Sequence, residues 1–331
     1  MYKVIGIDIA KQTFDFAFED GKKKWHFNKV KNTESGFKRL EKWLDKNSLI
    51  VMEASGPYYF QLALYLYEKG YNVSVANPLV TRRFSQMFLH RAKTDKIDAK
   101  TLAQFGQLMH EKLKPWSPPE QAISQLRQMQ TLMDGYKKEL TMLRNRKEAF
   151  LAAGIMNPEV MESLERSIEH LKQEITLLEK KMEEISYEHY KENMELLQSI
   201  PGIGKKTAIA LIVLTNNFKK FEHYKQLIAY VGMSPRIFES GESVKGKGHI
   251  AKMGNAYVRK LLYISAWSAK RWNKTANEMY ERLKEKGKPE RVIKVAIANK
   301  LLKQSFAIVK SGRPYDPNHE PTPFNTYQKA K

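Results

Sequence analysis

Val4-Ile5-Gly6-Ile7-Asp8-Ile9-Ala10 is an apolar run broken once, by a carboxylate. Desolvating an unpaired carboxylate is costly, so Asp8 needs a metal ion, a cationic partner or a hydrogen-bonded turn. Taken alone it has two readings: a metal ligand on a rigid strand, or a turn residue pairing with Lys11. Three further acids change the balance. Glu53 ends the apolar run Leu49-Ile50-Val51-Met52. Asp95 and Asp98 lie in Lys93-Thr94-Asp95-Lys96-Ile97-Asp98-Ala99-Lys100, and share a face if that segment is helical. By themselves those two read as a solvated helix face pairing with Lys96 and Lys100. Together with Asp8 and Glu53 they read as a cluster drawn from two strands and a helix. Such a cluster can hold a pair of metal ions, and two ions about 4 Å apart clamp the attacking and leaving oxygens of a phosphodiester. The oxygen donors point to a hard ion, Mg²⁺ or Mn²⁺, and the eight histidines lack metal-ligand spacing.

The elements that must position these acids follow from periodicity. Phe14, Phe16 and Phe18 alternate with Asp15 and Ala17, the period of a half-buried strand paired with the first. Asp20-Gly21 turns the chain, and 24–30 alternates again as a third strand. Asn32-Thr33-Glu34-Ser35 opens a helix with Phe37, Leu40, Trp43 and Leu44 on one face. Gly56-Pro57 breaks the strand that Glu53 ends; a helix over 58–69 and a strand over 71–76 follow, closed by Asn77-Pro78. From 79 to about 109 the pattern is helical and basic. Three meandering strands, then alternating helices and parallel strands, predict a mixed α/β domain over 1–114.

Pro115, Pro118 and Pro119 mark a linker. Met129, Met133, Tyr136, Leu140, Leu143, Lys147 and Phe150 are spaced alternately four and three apart. Gly154 stops that helix, and Asn157-Pro158 starts another. Leu164, Ile168, Leu171, Ile175, Leu178, Met182 and Ile185 repeat the spacing. The two stripes predict an antiparallel coiled-coil hairpin over 115–190, and would equally serve as the core of a helical domain. Residues 191–311 read as mainly helical and 312–331 as a tail. Ile200-Pro201-Gly202-Ile203-Gly204-Lys205-Lys206 reads as a helix-hairpin-helix in which Gly202 and Gly204 let backbone amides, with Lys205 and Lys206, approach a phosphate. The stretch 234–255 combines glycines, serines and lysines. Its Arg236, Lys245, Lys247 and Lys252, with Arg259 on the following helix, form a phosphate-binding surface; spacing alone gives that loop no chemistry.

Charge names the class of partner. Lys+Arg total 57 against 36 Asp+Glu, a net charge of +21, which predicts a polyanion. Nucleic acid fits better than a membrane surface, since there is neither an apolar run of spanning length nor a basic amphipathic anchor. The absence of cysteine excludes disulfides, thiol nucleophiles and cysteine zinc sites, and fits a reducing cytoplasm. The N-terminus enters a strand directly, without a signal-peptide pattern.

The order and spacing of Asp8, Glu53, Asp95 and Asp98 resemble the DEDD transposases of bacterial insertion sequences and the related Piv-type site-specific invertases. GIDIAKQTFD, VMEASGPY and RAKTDKIDAK carry the likeness in the first third, and YVGMSPRIFESGESVKGKGHIAKMGNAYVRKLL carries it further on. The resemblance covers the chain to about Val309. It implies a RuvC-like, ribonuclease-H-type first domain and a C-terminal transposase domain. It also implies a nucleophilic serine at the Ser-Gly step, which is Ser240, with Ser243 as the alternative. The implied activity is Mg²⁺-assisted serine attack on donor and target double-stranded DNA. The implied partners are a structured noncoding "bridge" RNA and further copies of the chain, as a dimer or tetramer, at the bacterial nucleoid. Two rival functions remain open: a Holliday-junction-type nuclease using the same acids with water as nucleophile, and a non-catalytic nucleic-acid scaffold. A sugar-kinase-like protein also begins with a Gly-Ile-Asp strand, but its Gly-rich nucleotide loops are missing here.

Overall fold

Strand β1 (Val4–Ile9) is buried over its first four residues, so each of its edges needs a hydrogen-bonded neighbour. The structure, a computed structural model describing residues 3–88, 94–154, 157–236, 239–240, 244–245 and 248–319, supplies both. β2 (Thr13–Glu19) pairs antiparallel with β1, and β3 (Trp25–Lys31) antiparallel with β2. β4 (Leu49–Glu53) pairs parallel with β1, and β5 (Asn72–Ala76) parallel with β4. The order β3-β2-β1-β4-β5 puts β1 at the centre.

The two-residue period sorts side chains between the sheet's faces. Ile5, Ile7, Phe14, Phe16, Ile50 and Met52 pack with Phe37 and Leu40 of α1 (Glu34–Glu41) and Leu62 and Leu66 of α2 (Phe60–Glu68). Val4, Val51 and Ala76 pack with Phe84 of α3 (Pro78–Gln86) and Leu102 and Phe105 of α4 (Asp95–Met109). Helices therefore cover both faces of the mixed sheet, as the element order predicts. The chain divides into two compact units, Met1–Pro118 and Pro119–Lys331.

The second unit is helical. α5 (Gln121–Ala152) and α6 (Pro158–Gln198) run antiparallel, shown by ion pairs at both levels: Lys147 to Glu165 at 2.5 Å and Lys137 to Glu179 at 3.1 Å. Met133 and Leu140 lie buried in one apolar cluster with Ile168, Leu171, Ile175, Met182 and Ile185. Phe150, expected in the stripe, is exposed, two residues before the end of α5. Tyr190 breaks α6 with φ −136° and ψ 30°, and its hydroxyl donates to Glu120 Oε2 at 2.8 Å. α7 (Lys205–Thr215) is apolar around most of its circumference and is correspondingly buried. α8 (Tyr224–Val231), α9 (Ala256–Trp272), α10 (Lys274–Glu285) and α11 (Glu290–Ser311) complete the same cluster. Between α8 and α9 lie two short antiparallel pairs. β6 (Pro235–Arg236) pairs with β9 (His249–Ile250), and β7 (Glu239–Ser240) with β8 (Val244–Lys245). Among the described residues no helix is long and apolar enough to cross a membrane.

One contact fixes α4 on the sheet. A Cβ placed on Gly6 would stand 2.2 Å from both Ala103 N and Ala99 O, which are backbone atoms. Gly6→Ala should therefore lower unfolding stability by about 2–3 kcal/mol, because the helix must move away. Gly21→Ala, where a Cβ meets nothing within 4 Å, should stay within about 0.5 kcal/mol of the parent. Equal urea midpoints for the two variants would contradict this packing.

Candidate active site

The parallel register Ile7↔Met52 brings the next residues, Asp8 and Glu53, to the same end of neighbouring strands. Asp8 follows Gly6 by two, so its side chain takes the α4 face of the sheet. Along α4, Gly106 approaches Val4 and Val51, while Ala103 and Ala99 approach Gly6. α4 thus runs opposite to β1, and its first turn arrives over the strand end that carries Asp8. Thr94 caps that turn, accepting from Ile97 N at 3.3 Å. Asp95 and Asp98 occupy the turn, where the helix's free amides favour negative charge.

The electrostatics record the convergence. Burial first, then the charges of Asp98, Asp95, Glu53 and Asp15, push the Asp8 carboxyl up from 3.8 to about 6. The carboxylates therefore feel one another, yet among the described residues no three donors stand close enough to enclose an ion in this conformation. The repulsive field is assembled while the ligands stand open. An all-carboxylate set without sulfur or imidazole suits a hard divalent cation, and the mutual repulsion at Asp8 is what such an ion would relieve.

Three residues that sequence reasoning passed over complete the site. Thr81 of α3 is buried and donates to Glu53 Oε2 at 2.6 Å. Asp15 faces Asp8 across the β1–β2 ladder and is only 5% exposed. Lys29 faces Asp15 across the β2–β3 ladder, with its Nζ 3.2 Å from Asp15 Oδ2 and 3.2 Å from Asp95 Oδ2. Asp15, then Asp95, raises the pKa of the Lys29 ammonium. The signal for Asp15 was present in the Phe14/Phe16/Phe18 alternation, which puts Asp15 on the other face from the phenylalanines. Lys29 needed the register.

The predicted phosphate-binding residues of the second unit are placed as follows. Gly202 has φ +106°, and a Cβ on it would meet Ala269 Cβ at 2.7 Å, so this glycine answers to packing against α9. Gly204 precedes α7 with open space beside it. Lys205 pairs with Glu183, and Lys206 with Glu179 at 2.9 Å, both lysines remaining more than half exposed. Arg259 donates to Val231 O at 2.7 Å, engaging the last turn of α8. Arg236 and Lys252 are exposed. Ser240 lies in β7, paired in register with Val244, and Lys245 lies in β8. Ser243 and Lys247 lie outside the described residues.

Residues 5–156 match the family model of DEDD transposases of the IS110 type, and residues 194–281 match that of the IS116/IS110/IS902 transposase family. The chain is 30% identical over 321 residues to the pilin gene-inverting protein of Moraxella bovis, covering 94% of this chain and 97% of that protein. The chain belongs to the IS116/IS110/IS902 transposase family. It is therefore a DNA transposase or recombinase by class. The transposase of insertion sequence element IS1111A from Coxiella burnetii is 25% identical to it over 294 residues, 80% of this chain and 77% of that one. Among solved structures, T. thermophilus RuvC in complex with a Holliday junction substrate aligns to 35% of this chain and all of that one, at 14% identity and a TM-score of 0.25.

The raised Asp8 pKa gives a signed prediction. The folded state holds the Asp8 proton more tightly than the unfolded chain does, so stability contributed near pH 4 is lost as pH rises through about 6. Without divalent ions, Asp8→Asn should be the more stable at pH 7, by about 1 kcal/mol after allowance for solvent screening. The gap should close towards pH 4. Thermal melts of the two proteins across pH 4–8 measure it, and a gap that does not change with pH would contradict the assignment.

Proposed function

We propose that this transposase excises and inserts an insertion sequence by serine attack on DNA phosphodiesters, assisted by divalent ions on the carboxylate face. The observation that carries the reading is the arrival of Asp8, Glu53, Asp95 and Asp98 at one end of one sheet face, within electrostatic reach of Asp8. The gene-inverting relative from Moraxella bovis supports strand exchange over simple cleavage.

Ser240 is the proposed nucleophile, with Ser243 the alternative. Its Oγ bonds to phosphorus as a bond from phosphorus to a DNA oxygen breaks, and the serine proton ends on the departing DNA hydroxyl. One phosphodiester replaces another, so the joint is resealed by the reverse step without hydrolysis. Bound Mg²⁺ or Mn²⁺ would supply polarisation of the phosphate. Arg236, Lys245 and Lys247 are the nearby cations in sequence that would stabilise charge built on its oxygens. Ser240 and the four acids must meet over one phosphate, within one chain or between copies in a dimer or tetramer.

The finer architecture belongs to the same reading. Residues 1–114 would be a RuvC-like nuclease domain, and α5 and α6 a coiled-coil hairpin over 115–190 that mediates assembly. Residues 191–311 would be the C-terminal transposase domain and 312–331 a tail. The turn at 200–206 would act as a helix-hairpin-helix, with Gly204 leaving the start of α7 open to a phosphate. The lysine pairs there do not oppose this, since exposed ion pairs are worth about 0–1 kcal/mol and phosphate can displace them. The partners would be donor and target double-stranded DNA and a structured noncoding guide RNA, at the nucleoid in the cytoplasm. The charge of +21 supports a polyanion partner.

Three experiments test this. Ser240→Ala should bind DNA but form no covalent adduct on denaturing gels with labelled DNA. Asp8→Ala, Glu53→Ala, Asp95→Ala and Asp98→Ala should each stop recombination by at least about a hundredfold. Adduct lost in Ser243→Ala and kept in Ser240→Ala moves the role to Ser243, and recombination surviving both substitutions returns the site to water-attacking nuclease chemistry. DNA affinity measured from 50 to 300 mM salt should fall steeply, as counterions are released. A flat dependence would contradict the reading of the charge.

A further inference from the structure

Three strands carry a row of charged side chains on the α4 face. Lys29 on β3 stands opposite Asp15 on β2, and Asp15 opposite Asp8 on β1. Asp15 is buried, so its charge needs the lysine, whereas Lys29 keeps 52% of its side chain exposed and reaches further. At the same 3.2 Å it also holds Asp95, the first residue of α4. Asp95, 62% exposed, is thus paired with an ammonium on the face where the cluster's other acids lie.

Resting on the reading of that face as a divalent-ion site, we propose that Lys29 is a positioning residue that competes with the ion for Asp95. Seated on Asp15, the Lys29 ammonium tethers the first turn of α4 to β3 and neutralises part of the cluster's repulsion. Ion binding then includes a hand-over of Asp95 from the ammonium to the metal, and the lysine sets how tightly the ion is held. Asp15 is the fixed seat that returns Lys29 to the same place.

The test is Mn²⁺ binding to the full chain without DNA, read from the paramagnetic signal of free Mn²⁺, alongside thermal melts. Lys29→Met should bind Mn²⁺ about tenfold more tightly and melt lower in metal-free buffer. Lys29→Arg, which keeps a charged donor, should stay near the parent. Lys31→Met, two residues along the same strand and outside the ion pair that Lys29 makes with Asp95, removes the same charge and should change the affinity less than about twofold. Should Lys29→Met fail to fold, Lys29→Gln drops the charge and keeps a donor for Asp15, with the same expectation. Affinity unchanged or weakened in folded Lys29→Met or Lys29→Gln overturns the inference, as does equal tightening in Lys31→Met or in Lys29→Arg. Asp8→Asn serves as the check on the site itself. If it binds Mn²⁺ like the parent, the metal reading fails and the inference falls with it; if it loses Mn²⁺, the Lys29 variants decide.

Discussion

Like charges held on one sheet face repel, and the first unit is organised against that repulsion. Two carboxylates about 5 Å apart cost about 3 kcal/mol at an effective dielectric of about 20. Strand pairing fixes Asp8 beside Glu53 and opposite Asp15, leaving none of the three free to drift apart. The backbone contact at Gly6 presses α4 onto β1 and brings Asp95 and Asp98 in from above. Described contacts that offset the repulsion include Thr81 to Glu53, Lys29 to Asp15 and Asp95, and the helix amides to the first turn of α4. Burial first, and then the repulsion of Asp98, Asp95, Glu53 and Asp15, raises the Asp8 pKa to about 6. The part of the Asp8 shift that comes from neighbouring carboxylates is what a bound cation would relieve.

Much of this was legible in the sequence, for identifiable reasons. Asp8 shows itself because an acid inside Val4-Ile5-Gly6-Ile7 contradicts its surroundings, and Glu53 because it ends an equally apolar strand. Asp95 and Asp98 look like surface residues until those two are set beside them. Asp15, Lys29 and Thr81 stayed hidden because their roles depend on which residues face each other across strands or across a helix packed on a strand. A slip of one residue sends every side chain to the opposite face, and periodicity alone does not set the register. Gly6 was hidden for a related reason: the need for a missing Cβ arises only once α4 lies against it.

In the second unit the sequence located the elements better than it located their uses. The caps at Asn157 and Asn255 form as residue type suggests, with Asn157 accepting from Glu159 N and Asn255 from Val258 N, both at 2.9 Å. Gly202 and Arg259, read towards phosphate, also have protein neighbours, Gly202 against α9 and Arg259 at the end of α8. Glycine and arginine each serve two physical needs, close approach and charge, and composition does not say whether backbone or ligand supplies the partner. Phe150 marks another limit, where spacing continues the stripe to a residue that is exposed near the end of α5.

The central claim is that Asp8, Glu53 and the first turn of α4 form one cation site. Crystals of the full chain soaked in Mn²⁺ and measured for anomalous scattering test it most directly. The account predicts a peak between the Asp8 and Glu53 carboxylates at metal–oxygen distances of about 2.1 Å, within reach of Asp95 or Asp98. A crystal that holds Mn²⁺ elsewhere and shows no peak at Asp8 would contradict it.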